Sequence, residues 1–206
     1  MLDFYTAREL YDLCNCANQM EIDQLEYVSM DGWVRTNRDS GSIGFIELND
    51  GTYFKNVQIV YHGDLENHDE VKAMLTGTAI EVTGKFIYTP DNKQPFELEA
   101  TSIEILGKSD EKYILQKKRH SFEYLREYPH LRPRTNTFMA VFRLRSVLSM
   151  AIHEFFQDQG FVYVHTPIIT GNDAEGAGEV FTVTNRKDDK YEEDFFGKHA
   201  SLTVSG

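Results

Sequence analysis

Five short runs of alternating apolar and polar residues, Tyr27–Thr36, Ile43–Leu48, Phe54–Tyr61, Ala79–Tyr88 and Phe96–Leu106, dominate the first half of this chain. Alternation with a period of two sends one row of side chains to a core and the other to water, and runs this short read as strands. Arg38-Asp-Ser-Gly, Asn49-Asp-Gly and Thr89-Pro-Asp-Asn stand between runs, and these combinations favour tight turns. One short helix, Asp69–Leu75, is predicted between the third and fourth runs. The order β-β-β-α-β-β is that of the OB-fold, a small Greek-key β-barrel.

The flanking segments are patterned differently. Residues 3–20 predict a weak helix, with Phe4, Leu10, Leu13 and Ala17 near helical spacing. After the barrel, residues 108–134 form a basic connector. Between 112 and 134 seven lysines and arginines face only Glu123 and Glu127, a local net charge of +5 in a chain of −12 that leaves −17 elsewhere. The overall charge argues against indiscriminate binding to polyphosphates, whereas the basic strip is suited to local contact with nucleic acid or to serving as a solvated link.

A second domain begins near Thr135. Thr135, Asn136 or Thr137 caps a helix whose apolar stripe includes Phe138, Val141, Leu144, Leu148, Ile152 and Phe155, and Gly160 ends it. A Phe161-Val-Tyr-Val strand is expected next, closed by Pro167, which lacks a backbone donor. Residues 182–195 are charged and little patterned, and predict a mobile loop. Cys14 and Cys16, without a second ligand pair, make neither a zinc signature nor a disulfide framework, so no metal site is expected. No apolar run reaches the ~20 residues of a membrane span and no secretory signal is evident, so a cytoplasmic location is expected.

Within the barrel, alternation places Phe45 and Glu47 on one face of the second run and Ile46 and Leu48 on the other. An outward Phe45 would form a stacking platform for an unpaired base, and Gln58, likewise off the apolar face, carries an amide able to pair with a base edge. Arg35 and Arg38, one strand away, would meet backbone phosphates. Composition alone leaves Phe45 equally suited to a core and Gln58 to a plain surface.

Several segments together resemble the class II aminoacyl-tRNA synthetases, and among them the asparaginyl enzymes. Gly32-Trp-Val-Arg-Thr-Asn-Arg-Asp-Ser-Gly, Phe45-Ile-Glu-Leu-Asn-Asp-Gly and Asn56-Val-Gln-Ile-Val are similar to the anticodon-binding barrel of class IIb members. Gly160-Phe-Val-Tyr-Val-His-Thr-Pro-Ile-Ile resembles class II motif 1, and Gln116-Lys-Lys-Arg-His-Ser-Phe-Glu and Leu131-Arg-Pro-Arg-Thr-Asn-Thr-Phe resemble asparaginyl enzymes. The resemblance implies an OB-fold anticodon-binding domain with a short N-terminal helix over 1–107. It implies the connector over 108–134, and over 135–206 the start of an α+β catalytic domain with an antiparallel sheet.

It further implies that Phe45 stacks on the central anticodon uridine and Gln58 hydrogen-bonds it. Glu175, in Asp173-Ala-Glu-Gly-Ala-Gly-Glu179, matches the carboxylate that binds the substrate α-amino group, and Ser205 a serine of the amino-acid pocket. From the residues alone these are a loop acid and a strand hydroxyl, and the loop lacks the lysine and amide donors of a phosphate cradle. Motif 1 implies a homodimer through Phe161, Val162, Val164 and Pro167.

The implied reaction is activation of L-asparagine with ATP and Mg²⁺, followed by transfer to tRNA-Asn. No segment of this sequence resembles motif 2, with its ATP-binding arginine, or the glycine-rich motif 3, so the 206-residue chain alone is expected to be inactive. The competing reading is a stand-alone module that binds tRNA or single-stranded nucleic acid without catalysis.

Overall fold

A computed structural model describes residues 3–16, 19–172 and 179–204. The chain divides into two compact units, Met1–Ser146 and Val147–Gly206, taken separately below.

In the first unit, strands β2 (Tyr27–Asp39), β3 (Ile43–Asn49), β4 (Val57–His62), β5 (Ala79–Tyr88) and β6 (Phe96–Gly107) form a closed barrel. The neighbours run β2-β3-β4-β6-β5, and β5 returns to β2 to close the ring. All pairings within the ring are antiparallel except β4 with β6, where Ile59 lies opposite Leu98 and Val60 opposite Glu99. Closure gives each ring strand a neighbour on both sides and so removes the open edges that template aggregation. Strand β1 (Asp3–Phe4) adds to β2 in parallel.

The inward row is that expected from alternation: Val28, Met30, Val34, Ile46, Leu48, Val57, Ile59, Ile80, Val82 and Leu98 are fully buried. At Gly44 the barrel is tight enough that a Cβ would fall 2.0 Å from the ring of buried Tyr61. The third strand starts three residues later than its apolar run, at Val57; in the loop before it Asp50 accepts from Thr52 N at 2.9 Å.

The N-terminal helix differs from expectation. It is two helices, α1 (Ala7–Asn15) and α2 (Gln19–Ile22). A capping box sets the first boundary, with the Thr6 hydroxyl accepting from Glu9 N and the Glu9 carboxylate accepting from Thr6 N at 2.7 Å. Helix α1 inserts Ala7, Leu10, Tyr11 and Cys14 into the barrel core. Tyr11 stacks on Tyr53 at 4.5 Å, meets Phe96 edge-on and donates to Asn56 O at 2.8 Å. Helix α3 (His68–Lys72), shorter than predicted, lies against β2, where Asn37 donates to Val71 O and Lys72 pairs with Asp39 at 3.2 Å.

The connector is not a bare link. Helix α4 (Phe122–Glu127), capped by Ser121, lies within it, and Leu115 and Leu125 are buried. A 3-10 turn at Arg132–Arg134 leads into helix α5 (Asn136–Asp158), whose first half, to Ser146, belongs to the first unit.

In the second unit α5 ends as its sequence implies: Gly160 adopts φ +83°, Phe161 N donates to Phe156 O and Gly160 N to Gln157 O. The expected Phe161–Val164 strand is a correction. These residues are exposed and unpaired in any sheet; an extended segment becomes a strand only beside a partner, and none pairs with it among the described residues. The sheet here is β7 (Ile169–Thr170) antiparallel to β8 (Ser201–Leu202), with Thr182 bridging Ser201.

Residues 182–195, read from sequence as a patternless mobile loop, are locally organised. Arg186 pairs with Asp188 at 2.7 Å and Glu193 at 3.0 Å, a 3-10 turn spans Tyr191–Glu193, and Thr184 bonds Asp194. Opposite charges within a dozen residues draw the segment onto itself, which hydropathy patterning does not register. No helix among the described residues is long and apolar enough to cross a membrane.

Candidate nucleic-acid interface

The outward face of the barrel contains a hollow of about 170 Å³ lined by Thr36, Arg38, Phe45, Ile46, Glu47 and Gln58. Strand register assembles it: Arg38 lies directly opposite Phe45 across β2 and β3, and Glu47 opposite Gln58 across β3 and β4. Phe45 is half-buried between buried Gly44 and Ile46, so its ring flanks the hollow with an accessible face. Arg38 is exposed at the rim.

Gln58 is fixed by a neighbour that sequence reasoning left aside. Its Nε2 donates to Glu97 Oε2 at 2.9 Å. An ionised carboxylate only accepts hydrogen bonds, so the amide must turn its nitrogen toward Glu97, and its carbonyl oxygen remains an acceptor. A ring face, an amide edge and a guanidinium thus converge on one hollow, a combination that can stack, read and charge-pair a single unpaired nucleotide.

Arg35 stands apart from the other three. The β2 register shifts between Val34 and Thr36, and the bulge at Arg35 re-aims its side chain to donate to Arg134 O at 2.7 Å. Burial lowers its pKa, partly offset by Tyr113 and Glu47. Arg134 lies 4.2 Å over the Trp33 ring and Arg132 packs over Phe138 and Phe142, so the connector's last two arginines serve as packing cations. The aromatic residues they cover were the signal for this in the sequence.

Of the remaining residues singled out from sequence, Phe161, Val162, Val164 and Pro167 are exposed in the second unit. Glu175 and Ser205 lie outside the described residues. Among the described residues no group of three or more His, Cys, Asp or Glu side chains is placed to hold a metal ion. No step through Mg²⁺ or ATP is assigned to the described residues.

Comparison with known proteins bears on this geometry. Residues 28–106 match the model of the OB-fold nucleic acid binding domain, and residues 121–206 that of tRNA synthetases class II (D, K and N). Asparagine–tRNA ligase of Alkaliphilus oremlandii is 57% identical over 189 residues, covering 87% of this chain and 41% of that protein. The chain is a homologue of the asparagine–tRNA ligases. The Acetivibrio thermocellus asparagine–tRNA ligase is 60% identical over 186 residues, covering 85% of this chain and 40% of the relative.

Among solved structures, asparaginyl-tRNA synthetase from Pyrococcus horikoshii complexed with asparaginyl-adenylate is similar with TM-score 0.72 and 25% identity over 88% of this chain and 41% of that one. The Entamoeba histolytica asparaginyl-tRNA synthetase, at 21% identity and TM-score 0.69 over 88% of this chain and 40% of that one, shares the fold. The chain spans about two-fifths of the length of the relatives it matches. It comprises an OB-fold anticodon domain followed by the start of a class II synthetase catalytic domain.

Proposed function

We propose that this chain is the tRNA-reading part of an asparagine–tRNA ligase, with Phe45, Gln58 and Arg38 receiving the central uridine of the tRNA-Asn anticodon. The convergence of these side chains on one hollow, in a barrel matching a nucleic-acid-binding family, carries the reading. Phe45 stacks, Gln58 pairs with the base edge and Arg38 meets phosphate. Arg35, the fourth residue of this group, acts one step removed by holding the connector.

In the same reading residues 1–107 form the reading domain, 108–134 the connector and 135–206 the start of the catalytic domain. Glu175 takes the α-amino group of L-asparagine and Ser205 lines its pocket. Phe161, Val162, Val164 and Pro167 join two subunits, and the enzyme works in the cytoplasm. ATP and Mg²⁺ supply the adenylate-forming chemistry of the whole enzyme; homology to asparagine–tRNA ligases over two-fifths of their length supports this assignment.

The deciding experiment is fluorescence anisotropy with a labelled anticodon hairpin bearing a central uridine. Phe45→Ala is expected to cost about 1–3 kcal/mol of binding. Equal affinity of wild type and Phe45→Ala would remove the stacking role. A second assay concerns the chemistry: the 206-residue chain alone should give no asparagine-dependent pyrophosphate exchange. Exchange above that of a Glu175→Ala control would contradict this.

A further inference from the structure

Beside the base hollow runs a second, wider depression of about 520 Å³, and the two share Thr36 and Glu47. Those residues face each other across β2 and β3, so a single cross-strand pair separates the hollow from the groove. The groove's far wall is the connector: Gln116, Lys117, Lys118 and His120 line it, opposite Arg35 and Asn56.

Its charge is settled by a few groups. Glu47 is the one carboxylate among the lining residues, and Arg35 lies close enough for their charges to act on each other. Asn56 also donates toward Glu47 at 3.4 Å. With that carboxylate compensated, the ammonium groups of Lys117 and Lys118, both exposed, leave the groove cationic. Neither lysine has an ion-pair partner among the salt bridges of the described residues. His120 is steadied by stacking on Tyr124 and by a 3.1 Å hydrogen bond with Gln116 O. Gln116 in turn donates to Tyr113 O at 2.8 Å, so the lysines sit on an ordered turn.

We propose that this groove is a phosphodiester track, in which Lys117 and Lys118 hold the two RNA phosphates next to the nucleotide that enters the Phe45 hollow. This deepens the reading above and rests on it. The barrel is acidic and its hollow offers a single arginine, so stacking and amide pairing alone would seat a base without fixing the strand's direction. A cationic groove opening on one side of the hollow gives the strand a direction. It also leaves phosphate binding in the connector to the lysines, since Arg132 and Arg134 pack over aromatic rings.

The test uses the full 206-residue chain and labelled hairpins with central uridine or cytidine, titrated across a salt series. Lys117→Ala/Lys118→Ala should weaken binding to both hairpins by the same factor, about tenfold at about 0.1 M salt, and lower the salt slope by about 1.4. Lys117→Arg/Lys118→Arg should restore both, while Lys85→Ala, an exposed lysine opposite Tyr27 on β5 that lines neither the hollow nor the groove, should change affinity less than about twofold.

A double alanine variant with wild-type salt slope, or one no weaker than Lys85→Ala, overturns the track and leaves the hollow intact if Phe45→Ala still loses affinity. Failure of the arginine variant to rescue would also overturn it, by showing a structural defect rather than lost charge. A wild-type chain that binds neither hairpin would overturn the track and the reading together.

Discussion

The barrel and the segment from α5 onward both carry apolar patterns, with opposite outcomes. In the barrel, Ile46, Leu48, Ile59 and Leu98 are wholly excluded from solvent. Along α5 and beyond, Leu144, Leu148, Ile152, Phe155 and Val162 are all at least half exposed. The difference teaches that periodicity specifies a face, while burial requires something to cover it. Five strands within about eighty residues cover one another locally; the apolar residues of the α5 stripe and of Phe161–Val164 stay exposed among the described residues.

The sharpest way to break this comparison is a pair of truncations read by urea unfolding. Ile59→Ala should cost about 2–5 kcal/mol, the loss of a buried side chain plus the cavity it leaves. Leu148→Ala should cost less than about 0.5 kcal/mol. Comparable costs, with an unfolding midpoint that rises with protein concentration, would instead mean that the α5 stripe is covered by a second copy in solution.

A smaller effect separates the two thiols. Burial pushes the Cys14 thiol up to about 11, while Cys16 is exposed. The thiolate is the reactive form, and at pH 8 roughly one thousandth of Cys14 carries it. Iodoacetamide should therefore label one thiol quickly and the second only as the barrel unfolds. Equal rates at both would show that α1 detaches from the core.

Smallest is the acid response. Burial favours the neutral form of the Asp39 carboxyl, but the Gly41 amide, Lys72 and His68 outweigh it and hold the pKa below its ordinary value. A depressed carboxyl contributes stability that is present above the unfolded-state value near ~3.9 and is lost as pH falls through the folded value. Asp39→Asn should flatten the barrel's acid unfolding curve below about pH 4. An unchanged curve would assign the response to other carboxylates.

What the sequence showed follows the same division. Strand β5 could be read to the residue, since both its faces and both its turns are encoded locally. Phe45 and Gln58 were legible as outward positions because alternation decides direction once a strand is granted, whereas Arg38, in step with buried Met30 and Val34, is turned outward only by the bulge after Val34 and was not legible from alternation. Arg35 was not, because a bulge breaks the alternation at that residue. Helix α4 is six residues long, too short for periodicity, and its visible clue was the Ser121 cap. The Thr6–Glu9 capping box was equally present in the sequence and would have fixed the start of α1. The Gln58–Glu97 contact joins residues 39 apart, and only the barrel's closure reveals it.

That contact gives the proposed hollow a polarity. With one amide hydrogen given to Glu97, Gln58 would turn its carbonyl lone pairs toward an incoming base. Uridine presents an N3 hydrogen there, while cytidine presents a lone pair of its own. In the proposed reading the wrong base would be turned away by facing oxygen and nitrogen electrons as well as by a missing bond, a discrimination that would survive even if it stacked equally well on Phe45. Glu97, which need never touch RNA, would then decide which pyrimidine is accepted, and Glu97→Lys would reverse the sign by turning the amide around.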